Sequence, residues 1–390
     1  MSQHVNEPVP QFIQPQRPVP KIRPKKIGEG SYGCVYRPSI PCLDKEPIRD
    51  TISKVITYSN AIVEVQNTNM VTRIDRKQVF HYASYGGCKL NYYPDDCHIQ
   101  SEYQVVQKDG GYSLKTYIDR NRRQAGWYPN IPGFITGWWR LFVGLYVLHN
   151  NDMYHMDIKP DNIIVKSDRE RYKMKYIDFG LLRKGGDFEK WDCKHNYPWY
   201  PIETILLNPK MITHMLDLIG KNKSVDEFID SVNRIFNMDI ISDRSLIRAR
   251  YTFEDPIQLG IDMRNNLGYI MKKFEQRLLS NPETSVQDLM RLIYTRVDVY
   301  SLGVTLRQLR PIYSKDNQNV DDIDMLVKNM SEVNIDSRCG PHVALCSFNQ
   351  ILKRLNVMDM TTTNPIELAD LMIPPERVSA IQEQRRNIRC

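Results

Sequence analysis

An α+β chain in two lobes is the fold class that the sequence predicts, and three observations predict it. At 390 residues the chain exceeds one average domain. From about residue 26 to 106 the pattern is short and strand-like: Val35, Tyr36, Ile52, Val55 and Ile56 alternate around turns. After Gly110-Gly111 apolar residues recur at helical spacing, first at Phe134, Trp138, Leu141, Leu145 and Leu148. Strands first and helices later give an α+β order.

Each element follows from its own signal. Residues 1–22 carry five prolines among polar residues, a composition that cannot build a core and predicts a disordered tail. Lys21, Arg23, Lys25 and Lys26 read as a solvated basic run, with a localisation or docking signal as the alternative. Residues 23–107 are expected to form the first lobe, with a helix between about Ala61 and Arg76 and a strand at Tyr103–Val106. Residues 108–390 are expected to form the second.

Composition narrows the class. Apolar residues make up 41% and charged residues 25%, enough for a large core. A net charge of +7 fits an anionic ligand but gives little reason to expect nucleic acid. The eight cysteines form no CxxC pair and suggest neither a zinc site nor a disulfide framework, so mostly reduced thiols of an intracellular protein are expected. No window is expected to span a membrane, and the N-terminus has no apolar stretch of signal-peptide type.

The chemistry lies in three places. Gly28-Glu29-Gly30-Ser31-Tyr32-Gly33-Cys34-Val35 lets a backbone approach phosphate closely, though a lone glycine pattern of this kind also suits a simple turn. Lys54 follows Val35 by nineteen residues on an apolar strand and needs an anionic partner. Glu64 is the only acidic residue between Lys54 and Asp75, and so the candidate for pairing with it. The third place is His155-Met156-Asp157-Ile158-Lys159-Pro160-Asp161-Asn162, followed sixteen residues after Asn162 by Asp178-Phe179-Gly180. It supplies one carboxylate for a hydroxyl nucleophile, two oxygen ligands for Mg²⁺ and a lysine for a phosphate, the parts that phosphoryl transfer from ATP requires.

From Gly28 to about Ile351 the chain resembles the eukaryotic-type protein kinase family, because these motifs occur in that family's order. The resemblance implies a two-lobed kinase fold with ATP between the lobes. It implies roles residue by residue. Asp157 is the base, and Lys159 steadies the transferring phosphate. Asn162 and Asp178 hold Mg²⁺, with Mn²⁺ as the alternative ion. Ile27, Gly28, Gly30, Gly33 and Val35 cover the nucleotide, and Lys54 with Glu64 forms the strand–helix pair. Tyr103–Gly111 would be the hinge, with Gln107 near the gatekeeper position. Lysine two residues after the catalytic aspartate is the serine/threonine pattern, so protein substrates with Ser/Thr hydroxyls are implied. A scaffold without turnover and an enzyme acting on a small molecule or lipid are the alternatives.

Four departures stand out. Met156 replaces an arginine that usually pairs with a phosphorylated segment, and Leu181–Tyr200 contains no serine or threonine. Asn196 stands where a threonine is common. Pro201-Ile202-Glu203 resembles a degenerate form of the triplet that ends the segment, and Arg338 is the expected partner of Glu203. Ninety-five positions then separate Glu203 from Asp298, which resembles the start of the helix anchoring the catalytic loop. Helical runs at Val225–Phe236, Ile261–Leu279 and Val286–Tyr294 make residues 204–296 an inserted helical segment, either structural padding or a docking surface for a partner. Kinases of large nucleocytoplasmic DNA viruses share such departures. That likeness implies infected-cell cytoplasm or virions as the location.

Overall fold

The computed structural model describes residues 23–30, 32–46, 48–122, 129–168, 171–185, 199–236, 256–278, 282–314, 320–356 and 372–373. The expected tail, Lys21, and Asn196 and Tyr197 of the central segment lie outside the described residues.

The first lobe is an antiparallel sheet in the order β1-β2-β3-β5-β4. Its strands are β1 (Lys25–Gly30), β2 (Gly33–Arg37), β3 (Thr51–Ile56), β4 (Ser84–Lys89) and β5 (Tyr103–Lys108). Helix α1 (Tyr58–Ile74) packs against β4 and β5. On that face Ile56 and Val105 bury against Ala61 of the helix.

The opposite face is covered too, and here the sequence expectation is corrected. Register places Cys34 opposite Val55, Val55 opposite Gln104, and Gln104 opposite Cys88. These four residues form one row across the sheet and share a face, because side chains on paired positions point the same way. Connecting segments from β2–β3 and β4–β5 fold onto that row and bring up Cys42 and Cys97. Two disulfides result, Cys34–Cys97 and Cys42–Cys88. The expectation of reduced thiols fails because linear spacing carries no trace of a row assembled from three strands. Cys34, Tyr36, Ile40, Val55 and Leu90 form a small apolar core around the bonds. Gln104 is fully buried there and donates to the Ile40 carbonyl at 2.7 Å.

The second lobe opens with β6 (Tyr112–Ser113), α2 (Leu114–Arg122), α3 (Ile131–Gly137) and α4 (Trp139–Asn150). A single helix from Phe134 to His149 was expected; the backbone instead breaks at Trp138. Ile131–Asn150 is 20 residues long and apolar enough to cross a membrane by length and composition alone, but 72% of its apolar 18-residue window is buried within the protein. It is a core element: Leu141 to Leu148 are all buried. Short strands β7 (Met153–Tyr154) and β10 (Arg183–Lys184) pair with each other, and β8 (Ile163–Asp168) pairs with β9 (Arg171–Tyr176).

The remaining described helices are α5 (Pro209–Gly220), α6 (Val225–Phe236), α7 (Pro256–Leu278), α8 (Pro282–Arg307), α9 (Arg310–Tyr313), α10 (Val320–Met330) and α11 (Pro341–Arg354). The run Val286–Tyr294 and the anchor at Asp298 were expected as separate elements. They are one helix, α8, since Thr295-Arg296-Val297 holds neither glycine nor proline to interrupt it. Two apolar cores divide this lobe. One is built on α4, α10 and α11. The other joins Tyr154, Met156 and Tyr200 to Phe228, Leu259 and Met263 of the inserted helices and to Tyr300 of α8.

Candidate active site

Strand β3 exposes alternate residues to the two faces of the sheet, so Lys54 points away from the disulfide face and toward α1. Its Nζ lies 2.9 Å from Glu64 Oε2 and 2.9 Å from Asp178 Oδ2. One ammonium therefore bridges a helix carboxylate and the carboxylate that follows β9. Burial alone would push Lys54 down, but Asp178 and Glu64 more than offset it and hold the ammonium above its ordinary range. The two carboxylates differ. Burial raises Glu64 despite Lys54, whereas Lys54 overcomes the burial of Asp178 and lowers it. Asp178 also keeps 30% side-chain exposure against 4% for Glu64, so Asp178 is the carboxylate open to a ligand.

Asp178 has φ of +62°, a left-handed conformation that costs a residue with a Cβ about 1–2 kcal/mol. Two contacts hold it there. Lys54 grips the side chain, and Asn67 of α1 donates through Nδ2 to the next carbonyl, that of Phe179, at 2.8 Å. The Phe179 ring lies beneath α1 and packs on His155, centroids 4.8 Å apart.

The loop after β7 is fixed from below by Asp298 of α8. This fully buried carboxylate accepts from the backbone N–H of His155 at 2.7 Å and of Met156 at 2.9 Å. His155 accepts the Asp157 N–H at Nδ1, which assigns its proton to Nε2, 3.2 Å from the Ile177 carbonyl. Asp157 Oδ2 in turn accepts from Lys159 Nζ at 2.9 Å and from Asn162 Nδ2 at 2.7 Å. Burial raises the Asp157 carboxyl, with Lys159 opposing. Asp157, Lys159 and Asn162 therefore form one cluster.

The same atoms test the fit of a metal. Both amide hydrogens of Asn162 go to Asp157, to its carbonyl at 2.9 Å and to its carboxylate. The amide oxygen of Asn162 and the second oxygen of Asp178 are hard donors of the kind that Mg²⁺ takes, with Mn²⁺ also suited. The residues present fit such an ion.

The glycine hairpin joins this cluster through the sheet. Gly30 lies opposite Gly33, Gly28 opposite Val35, and Val35 opposite Lys54. A Cβ on Gly33 would sit 2.2 Å from the Val55 carbonyl oxygen, so close approach to β3 requires glycine there. A Cβ on Gly30 would meet nothing within 4 Å, which leaves that backbone approachable by a ligand oxygen. Ile27 is 45% exposed on β1. Gln107 ends up buried in β5, opposite Ile52.

In the second lobe, Arg338 Nη1 meets Glu203 Oε1 at 2.6 Å, both side chains fully buried. Asn266 of α7 holds the other oxygen, donating at 3.0 Å. Asn67 and Asn266 escaped sequence reasoning because a helical asparagine has no local signature. Asp96, Cys97 and His98 escaped it because their partners lie on β1 and β2.

Comparison with known proteins identifies the family. The protein kinase domain family matches residues 22–218. The chain is similar to "Cyclin-dependent kinase E-1" of Arabidopsis thaliana, 27% identical over 161 residues, covering 40% of this chain and 32% of that protein. It is similar to "Cyclin-dependent kinase 2" of Caenorhabditis elegans, 26% identical over 210 residues, 50% of this chain and 49% of that protein. A third relative is "Cyclin-dependent kinase 14" of Callithrix jacchus, 24% identical over 227 residues, 56% and 48%. The chain thus spans a third to a half of the length of these curated relatives. With the matched segment running from before the glycine hairpin to beyond Glu203, the chain belongs to the protein kinase domain family.

Proposed function

We propose that this chain transfers the γ-phosphate of ATP to serine and threonine hydroxyls of protein substrates. One observation carries the reading: Lys54 bridges Glu64 and Asp178 at 2.9 Å each, so residues far apart in sequence meet at a single ammonium. In this reading Lys54 and the backbone of the Gly28–Gly33 hairpin orient the phosphates. Asp157 holds the substrate hydroxyl and accepts its proton, and Lys159, already 2.9 Å from Asp157, steadies the transferred group. A bound divalent ion of the Mg²⁺ type would neutralise phosphate charge, with Asp178 and Asn162 as its protein ligands.

The test is incorporation of labelled γ-phosphate into a generic basic or acidic protein. Asp157→Ala is expected to lower the rate by on the order of a thousandfold. Equal incorporation by both proteins would favour a scaffold without turnover. Incorporation confined to lipids or small molecules would move the substrate class.

Three finer readings are proposals. Lys159, two residues after Asp157, supports Ser/Thr preference. The relatives' names suggest dependence on a protein partner, and full activity of the isolated chain would remove that need. The inserted helices could dock such a partner at a cavity of about 340 Å³ lined by Lys273, Phe274, Asp288 and Arg291. The viral likeness rests on Met156, the degenerate triplet at Glu203 and the long insertion, and proposes host cytoplasm or a virion as the location. The disulfides Cys34–Cys97 and Cys42–Cys88 weigh against a surrounding that stays strongly reducing.

A further inference from the structure

The segment between β4 and β5 folds back over the outside of the β1–β2 hairpin and is fastened to it by several links. Cys97 is bonded to Cys34 of β2. Tyr36 of β2 donates its hydroxyl to Asp96 Oδ1 at 2.6 Å. Lys26 of β1 donates to the Asp96 carbonyl. His98 Nδ1 lies 2.5 Å from Oε1 of Glu29, the residue between Gly28 and Gly30. Exposed polar links of the Lys26 and His98 kind hold weakly and are screened by salt. The covalent bond and the Tyr36 hydrogen bond are therefore the main restraints. Cys34 is fully buried beside Gly33, where the hairpin lies tight on β3, whereas Cys97 is half-buried and can be reached.

We propose that residues 94–98 are a positioning strap for the nucleotide-covering hairpin, and that the Cys34–Cys97 bond is its thiol-sensitive latch, setting affinity for ATP. The proposal rests on the ATP-dependent reading above. A dithiol attacks Cys97 Sγ as its thiolate, and the Cys34–Cys97 bond breaks with Cys34 leaving as a thiolate that takes a proton. The reagent's second thiol then displaces Cys97, and the reagent is oxidised to its own disulfide. Once released, the hairpin has more conformations to lose when it closes over a nucleotide, so binding weakens. Lys54, Asp157 and Asp178 are untouched, so transfer from the bound nucleotide continues at the same rate. The Cys42–Cys88 bond lies on the same face but involves no hairpin residue, and serves as the internal comparison.

The experiment uses the full chain, oxidised or treated with dithiothreitol. It measures the dissociation constant of a fluorescent trinitrophenyl-ATP, the KM for ATP against kcat, and amide exchange over residues 26–37. Reduction of the wild type is expected to weaken binding at least about fivefold, raise KM alike and leave kcat unchanged. Exchange over 26–37 should quicken. Cys34→Ala/Cys97→Ser should be weak from the start and indifferent to dithiothreitol, while Cys42→Ala/Cys88→Ala should respond like the wild type. Asp96→Ala, an exposed change that leaves the latch in place, should weaken binding in the same direction by less. Equal response in wild type and latch variant, or unchanged exchange over 26–37, overturns the proposal. An oxidised wild type that binds no nucleotide overturns the ATP reading itself.

Discussion

At the scale of single residues, strain and burial identify which side chains the site depends on. Asp178 sits at φ +62° and stays there because Lys54 holds its carboxylate and Asn67 holds the carbonyl of the next residue. Asn67→Leu keeps the volume but removes the bond to the Phe179 carbonyl. It is expected to cost about 1–2 kcal/mol of stability, to lower phosphoryl transfer about tenfold, and to raise the Mg²⁺ concentration needed for nucleotide binding. A titration showing unchanged Mg²⁺ dependence would remove Asn67 from this role. Glu203 is buried between Arg338 and Asn266. Truncation to alanine leaves the guanidinium without its charge partner and is expected to cost roughly 3–5 kcal/mol in denaturant unfolding. Cys339 is a free cysteine, and burial pushes its thiol up to about 11. A raised thiol pKa means less thiolate below it, so at pH 8 roughly one molecule in a thousand is reactive. Iodoacetamide on native protein should spare Cys339 at pH 8, with labelling rising only as the pH approaches 11. Rapid alkylation at pH 8 would contradict the burial.

Elements show how far the sequence was legible. The catalytic loop could be read because its parts lie within eight residues, His155 to Asn162, and a loop that short keeps them together whatever else the chain does. Alternation gave β3, and the isolated acid Glu64 gave the partner that the structure sets 2.9 Å from Lys54. What stayed hidden needed contacts between distant segments. No local pattern joins Cys34 to Cys97 or Asn266 to Glu203. Helix α8 was divided in the reading because its later turns carry a second apolar stripe: Leu289, Ile293, Val297 and Tyr300 pack in the core shared with the inserted helices, whereas Val299, Leu302 and Leu306 pack in the core built on α10. Gly303 marks that second contact: an added Cβ would lie 2.8 Å from Met330 Cβ and 3.1 Å from its backbone. Gly303→Val should force α8 and α10 apart and cost about 1–3 kcal/mol, seen as a lowered midpoint in thermal unfolding. A neutral result would mean that α10 can shift freely.

Across the whole molecule, the inserted helices and the catalytic loop form one body. Phe228, Leu259 and Met263 bury in the same core as Tyr154 and Met156, and the Tyr200 hydroxyl donates to the Met156 carbonyl. Deletion of residues 209–281 would open that core, so the shortened chain should fail to fold cooperatively, as circular dichroism during heating would show. A deletion that folds and retains transfer would make the insertion an appendage. The same arrangement bears on control. Where an arginine would await a phosphate, a thioether is already packed into hydrocarbon, and Leu181–Tyr200 offers no serine or threonine to modify. Phosphatase treatment is therefore expected to leave transfer intact, and loss of activity would point to Tyr197 or Tyr200. A catalytic loop ordered by oil rather than by an added charge is set when the chain folds and has no reversible off position of that sort. Restraint then has to act elsewhere: on the amount of protein, on its supply of nucleotide, on its surface, or on the bond that fastens the hairpin.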